Sequence, residues 1–264
     1  MITYNLLNQY KEIAHFCTDR EGGTSMGNYA SFNLSTYSGD DPEHVLYNRS
    51  VLCKHLGIDS DKLIFPYQTH GTDILEIDDS FFQLSNEEKS QVLNEIDGII
   101  TSLPDICIGV TTADCVPLLF FDPVKKVIAA SHAGWRGTCA NISKKTVQKL
   151  TDNYHCDPSD IRVVIGPSIS ANVYEVGKEV VDNFQHAGFD ISEIVSTKNN
   201  SSFLDLWKAN QHSLEEAGIL RENIEISGYC TFTEHDRFFS ARRLGIKSGR
   251  MLSGIMLLST NYTN

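Results

Sequence analysis

The chain of 264 residues has no C-x-x-C pair, no H-x-H pair, no G-x-G-x-x-G run and no G-x-x-x-x-G-K-[ST] run. Without paired cysteines, neither a zinc ribbon nor a dithiol redox motif is expected. Without the glycine-rich loops, nucleotide cofactors read by those devices are not supported. The nine histidines include no alternate pair of the kind multicopper clusters draw on. Seven cysteines, an odd number in a chain with no secretory pattern at its start, do not suggest a disulfide framework. No apolar run nears the roughly 20 residues that cross a bilayer, so no membrane association is expected. The longest, "CVPLLFFD" and "GIMLLS", are strand-sized. Positive charge is also short: 22 Lys and Arg stand against 34 Asp and Glu, a formal net charge of -12. Nothing broad would neutralise a phosphate backbone, so no nucleic-acid partner is expected. The cytoplasm is the expected compartment.

What is present reads as an ordinary globular chain, 41% hydrophobic and 21% charged. No repeat, low-complexity tract or long linker divides it, so a single domain over residues 1–264 is expected. The segment "TDREGGTSMGNYASFNLSTYSGDDPEHV" is rich in turn residues. It leads into a helix capped by Asp40 or Asp41 and stopped by Gly57. Short β-branched or apolar runs follow: "LIFPYQTH", "DILEID", "DGIITS", "ICIGVTTAD", "VPLLFFD" and "KVIAASH". "GTCANISKKTVQKLTDNY" reads as one helix, with Ile142, Val147 and Leu150 at near-helical spacing. "VGKEVVDNFQHAG" and "DLWKANQHSLEEAG" are further helices ending in Gly, and "IRVVIGPSI", "IEISGYC" and "GRMLSGIMLLS" are strands. Strands come in runs rather than in βαβ alternation. The expected class is α+β with mixed or antiparallel sheets.

Three strings put ligand-type side chains at element ends. "YQTHG" carries His70, "TTADCVP" carries Cys115 beside Asp114, and "SHAGWRG" carries His132. The long separations exclude a local finger and suit a site assembled at one rim of a sheet. One thiolate and two imidazoles are a donor set that zinc prefers and copper can use. Three protein ligands leave a fourth position open, as in a catalytic centre. Taken one at a time, each has a plainer reading: a Cys in an apolar stretch is usually a small core residue, and a His at a strand end is usually just hydrogen-bonded. Arginines form a second set. Arg20, Arg136, Arg242 and Arg243 each lie near Gly or Ser, where a guanidinium can meet a phosphate or carboxylate in a paired fork. Arg136 and Thr138 also fall where a helix is expected to start. The plainer reading here is surface ion pairs.

"TDREGGTSMGNYASFNLSTYSGDDPEHVLYNR", "QTHG", "DGIITSLPDICIGVTTADCVPLLFFDP", "IAASHAGWRGT", "IGPSISANVYEVG" and "CTFTEHDRFFSARR" resemble, in order, the blocks of the YfiH/laccase-domain family. The resemblance implies layered mixed β-sheets flanked by helices in an α/β/β/α arrangement. It implies a catalytic zinc, with copper the alternative, held by His70, Cys115 and His132. It implies a purine nucleoside enzyme that cleaves adenosine, inosine or methylthioadenosine with phosphate and deaminates adenosine. Substrate contacts are then expected from Arg20, Asn33, Arg136 and Arg243. Ala241 and Leu244 stand where the family more often carries a tyrosine and an aspartate. Two other activities use the same residues: a copper-dependent polyphenol oxidase, and a cysteine amide hydrolase acting on peptidoglycan precursors with Cys115 as nucleophile.

Overall fold

A computed structural model describes residues 1–259. Its centre is a pair of packed sheets. One runs Ile13–Cys17, Met251–Leu257, Cys107–Thr112, Leu63–Ile64 in spatial order. The other has six strands: Ile224–Ile226, Arg162–Ile165, Val116–Asp122, Val127–Ala133, Gly98–Thr101 and Ile74–Glu76. Both mix parallel and antiparallel pairs. A small three-stranded sheet, Val195–Lys198, Ser201–Leu204 and Glu175–Val176, lies apart from them in pairing.

The period-2 alternation of side chains decides the layers. In Val116–Asp122 every residue is buried. Leu119 and Phe121 join Ile108, Val110 and Ile255 in the core between the two sheets. Leu118 and Phe120 point the other way, onto Ile142, Val147, Leu150 and Leu214 of the helices Ile142–Tyr154 and Leu206–Glu216. On the far side, Phe16, Cys107, Leu252 and Met256 pack against Leu52 of the helix Pro42–Leu56. The result is the α/β/β/α layering expected for an α+β chain. A strand covered on both faces reads as a continuous apolar run, which is why "VPLLFFD" lacks alternation.

Local signals set the element ends. Asp41 caps Pro42–Leu56 by accepting a hydrogen bond from Glu43 N at 2.9 Å, and Gly57 closes it in the left-handed region at φ 70°. The expected helix over "GTCANISKKTVQKLTDNY" is in fact two. Asn141 takes φ 60°, which stops Trp135–Cys139 after five residues and starts Ile142–Tyr154 afresh. The strand in "LIFPYQTH" is also shorter than expected. It ends at Ile64, because Pro66 and the loop beyond leave the sheet.

Two departures between the central sheets place the site. Residues 65–73 pass from Leu63–Ile64 in one sheet to Ile74–Glu76 in the other, and residues 113–115 pass from Cys107–Thr112 to Val116–Asp122. Gln68 ties the crossings together. Its amide donates to Thr111 O at 2.9 Å and accepts from Thr111 N at 2.8 Å, like one more rung of a ladder.

His15 sits inside the fold, 7% exposed, stacked on Tyr4, with no partner for its Nδ1 among the described residues. Burial lowers its pKa to about 4. Below pH 6.5 the unfolded chain takes up a proton that the native imidazole refuses. Native stability should therefore fall as pH drops from 6.5 to 4, by about 3 kcal/mol from this group alone, and His15 should add nothing further below that. Urea unfolding of the protein and of His15→Leu across this range should show a shallower pH slope in the variant. Identical slopes would refute the assignment.

Candidate metal centre

His132 is next to last in the strand Val127–Ala133, opposite Pro117 in the register with Val116–Asp122. Val116 pairs with Ala133. One step further along the same hairpin brings Cys115 level with Gly134. This is how residues 17 positions apart in "ADC" and "SHAG" come into contact. A Cβ on Gly134 would lie 3.0 Å from Cys115 Sγ and 2.9 Å from His70 Cδ2. The glycine is needed for room, since its φ of -66° is open to any residue.

His70 arrives on the first crossing loop, at φ 66°. Its ring stands edge-on to that of His132, with centroids 4.8 Å apart at 78°. One donor atom from each of His70, Cys115 and His132 lies within 4.8 Å of the others. His132 is 3% exposed, Cys115 is half-buried and His70 is exposed. All three line one cavity of about 530 Å³. The cluster is thus buried behind and open in front.

A residue unnoticed in the sequence orders the cluster. Asp97, fully buried, accepts from His132 Nδ1 at 2.7 Å and from His70 N at 3.0 Å with one oxygen. Its other oxygen accepts from Gly71 N at 2.7 Å and Thr69 N at 3.1 Å. One carboxylate thereby fixes the His132 ring directly and the His70 loop through its backbone. With Nδ1 engaged, Nε2 of His132 is the nitrogen left for the cavity side. Burial pushes the Asp97 carboxyl up, but the His132 imidazole and the loop N–H groups outweigh it and hold it below its ordinary value.

The same competition acts on the ligands. Burial raises the Cys115 thiol, yet the imidazoles of His132 and His70 bring it down to about 6. Burial lowers His132, and the Cys115 thiolate and Asp97 raise it. Asp114, beside Cys115, does not face the cluster. At φ 86° its carboxylate accepts from Thr231 Oγ1 (2.7 Å), Ser240 Oγ (3.0 Å) and Arg242 N (2.7 Å). It anchors the Cys115 turn to the C-terminal segments.

The donor set fits a zinc or copper ion. It is one thiolate and two imidazoles, with one histidine oriented by a buried carboxylate and a glycine cradle beside the sulfur.

The four expected substrate residues lie outside this cluster. Arg20 donates Nε to Ala30 O at 2.9 Å and Nη1 to His235 O at 2.7 Å, with its guanidinium over Phe239. Arg243 donates Nε to Phe232 O at 2.8 Å and lies over the Phe232 ring. Arg136 is exposed above Trp135, in the five-residue helix Trp135–Cys139. Asn33 is buried and works on the cavity wall from behind. Its amide donates to Ser35 O, Ser38 Oγ and Asp40 Oδ2, and its oxygen accepts from Ser35 N and Arg250 N. The cavity wall itself includes Tyr37, Tyr67, Lys247 and Arg250, of which Lys247 and Arg250 lie outside the sequence blocks that resemble the family.

Asp97→Asn keeps one acceptor oxygen, but its amide nitrogen would face either the His132 ring and His70 N or the Thr69 and Gly71 N–H groups, so it cannot hold His132 in the same charge state and tautomer. Zinc affinity, measured by competition with a chromophoric chelator, should fall about 10- to 100-fold. Unchanged affinity with an unchanged melting temperature would remove Asp97 from the centre.

Comparison with known proteins identifies the family. The profile of the family described as multi-copper polyphenol oxidoreductase laccase matches residues 14–258. A purine nucleoside phosphorylase of Bacteroides thetaiotaomicron is 43% identical, over 97% of this chain and 96% of its own. Adenosine deaminase RL5, from an unknown prokaryotic organism, is 40% identical over 91% of this chain and 92% of its own. The crystal structure of a Bacillus licheniformis hypothetical protein, YfiH, superposes with a TM-score of 0.87 at 33% identity, covering 95% of this chain and 94% of that one. The chain belongs to the multi-copper polyphenol oxidoreductase laccase family, the YfiH/laccase-domain family that its motifs resemble.

Proposed function

We propose that the protein is a zinc-dependent purine nucleoside enzyme that cleaves adenosine, inosine or methylthioadenosine with phosphate and deaminates adenosine. The observation that carries this reading is the His70–Cys115–His132 cluster at the wall of a 530 Å³ cavity, a volume suited to a small molecule. The names of the relatives, a purine nucleoside phosphorylase and an adenosine deaminase, point to the substrate class. A zinc ion at the cluster would supply Lewis acidity at the cavity wall.

The chain's own residues supply the rest. Tyr37 and Tyr67 meet edge to face with centroids 4.4 Å apart and are partly exposed to the cavity, an aromatic surface for a flat base. Asp97 holds the His132 Nδ1 proton and keeps the ring from turning. In phosphorolysis the bond from ribose C1′ to the base nitrogen breaks and a phosphate oxygen bonds to C1′. The products are the sugar 1-phosphate (ribose 1-phosphate from adenosine or inosine, methylthioribose 1-phosphate from methylthioadenosine) and the base, which leaves with a proton from the hydrogen phosphate. In deamination water replaces the amino group of adenosine, giving inosine and ammonia.

A second reading has an observation of its own. Cys115, His132 and Asp97 also make a thiolate, imidazole and carboxylate relay, the arrangement of a cysteine hydrolase. Protein loaded with zinc should release hypoxanthine from inosine only when phosphate is present, and ammonia from adenosine without it. A chelator should abolish both, and added zinc should restore them. Zinc-replete protein that releases no hypoxanthine sinks the phosphorylase reading. Amide hydrolysis that survives the chelator establishes the thiol one.

A further inference from the structure

The cavity has an unusual charge balance for an acidic chain. Its ionised lining, apart from the cluster, is cationic: Lys247 and Arg250, with no Asp or Glu in the wall. Neither cation makes a salt bridge among the described residues. Arg250 is half-buried, and burial weighs against its charge more than the nearby Cys115 and Asp114 favour it.

Its forks are spent on the loop before it. Nη1 donates to Ser248 O (2.7 Å), Ser248 Oγ (3.0 Å) and Gly249 O (3.0 Å), and Nη2 donates to Ile246 O (2.9 Å). These bonds fasten the loop that carries Lys247, while the guanidinium keeps its full positive charge. The backbone N of Arg250 is held in turn by Asn33 Oδ1 at 2.9 Å. Asn33 O accepts from Asn48 Nδ2 at 2.9 Å, in the helix Pro42–Leu56. Arg250 is therefore tied to the outer helix layer, and Lys247 stands exposed on the loop that Arg250 holds. Thr112, also in the cavity wall and 1% exposed, has a hydroxyl without a partner among the described residues. A wall with one held and one exposed cation, a spare hydroxyl and no carboxylate is complementary to a small oxyanion.

We propose that the Lys247–Arg250 wall, with Thr112, seats the orthophosphate that attacks the nucleoside, in the same cavity as the His70–Cys115–His132 cluster. This rests on the phosphorolysis reading. It assigns the phosphate to residues other than Arg20, Arg136 and Arg243, whose guanidiniums lie over aromatic rings outside the cavity wall. Lys247 contacts the anion, and Arg250 adds charge and holds the loop.

The test is a KM split on the zinc-loaded full chain. Lys247→Gln should raise the KM for phosphate at least tenfold in inosine phosphorolysis, with the KM for inosine within twofold and zinc content unchanged. Lys247→Arg should recover most of the loss. Arg250→Lys should raise the KM for phosphate too, and Arg250→Gln more so. An unchanged KM for phosphate in Lys247→Gln overturns the assignment, as does a KM for inosine that rises in step. If the wild-type protein carries out no phosphorolysis, the functional reading fails, and calorimetry with orthophosphate alone decides the site. Binding by the wild type that is lost in Lys247→Gln supports it. No binding, or binding that the substitution spares, overturns it.

Discussion

The cavity depends on one buried carboxylate. Asp97 has no exposure to water, and a bare charge there would be prohibitive. Four hydrogen bonds offset that cost, and they come from two places far apart in sequence: the loop 69–71 and the ring of His132. Such a charge is tolerated only if all its partners are in place together. The loop bearing His70 and the strand bearing His132 are thereby coupled. Neither can shift without leaving the carboxylate short of a donor. The backbone completes the clasp, since His132 N donates to Asp97 O at 2.7 Å. Asp114 repeats the device on the other ligand, pinning the turn before Cys115 to the 231–242 segment.

This coupling explains why the site sits where the chain changes sheets. A loop leaving one sheet for another carries backbone N–H groups that no strand satisfies. At residues 69–71 those groups are gathered by Asp97, and Gln68 locks the first crossing to Thr111, near the end of the strand that leads into the second. Left-handed backbone at His70 and Asp114 belongs to the same economy. Histidine and aspartate enter that region more readily than most non-glycine residues, and here the surrounding bonds hold them in it. The irregular backbone is what aims the imidazole and the thiol at a common point.

The His70–Cys115–His132 cluster was legible because each member stands at the end of a recognisable apolar run, and the order of the motifs matched a family. The layering was legible for the same reason, through strands such as "VPLLFFD" and "KVIAASH". Asp97 was not. In "NEIDGII" an Asp before Gly reads as a turn residue, and its worth comes from three N–H groups more than 25 positions away. The arginines were ambiguous in a different way. Five N–H donors suit backbone carbonyls as well as phosphates, and nothing in "TDREGG" or "FFSARR" tells the two uses apart. Arg20 and Arg243 bind carbonyls and stack on phenylalanines. Arg250, in the plain-looking "KSGRM", lines the cavity.

The relay of Asp97, His132 and Cys115 is ambiguous by itself, because a metal centre and a thiol nucleophile ask for the same three groups. Both want an oriented imidazole, and both want the sulfur ionised near neutral pH. What separates them is His70. A hydrolase needs one base beside its thiol, and a second imidazole 4.8 Å from the first adds nothing to proton transfer from sulfur. It would instead compete for the thiolate. A metal would use that third donor, which is brought in through a left-handed residue, a shared carboxylate and a glycine kept bare beside both rings and sulfur.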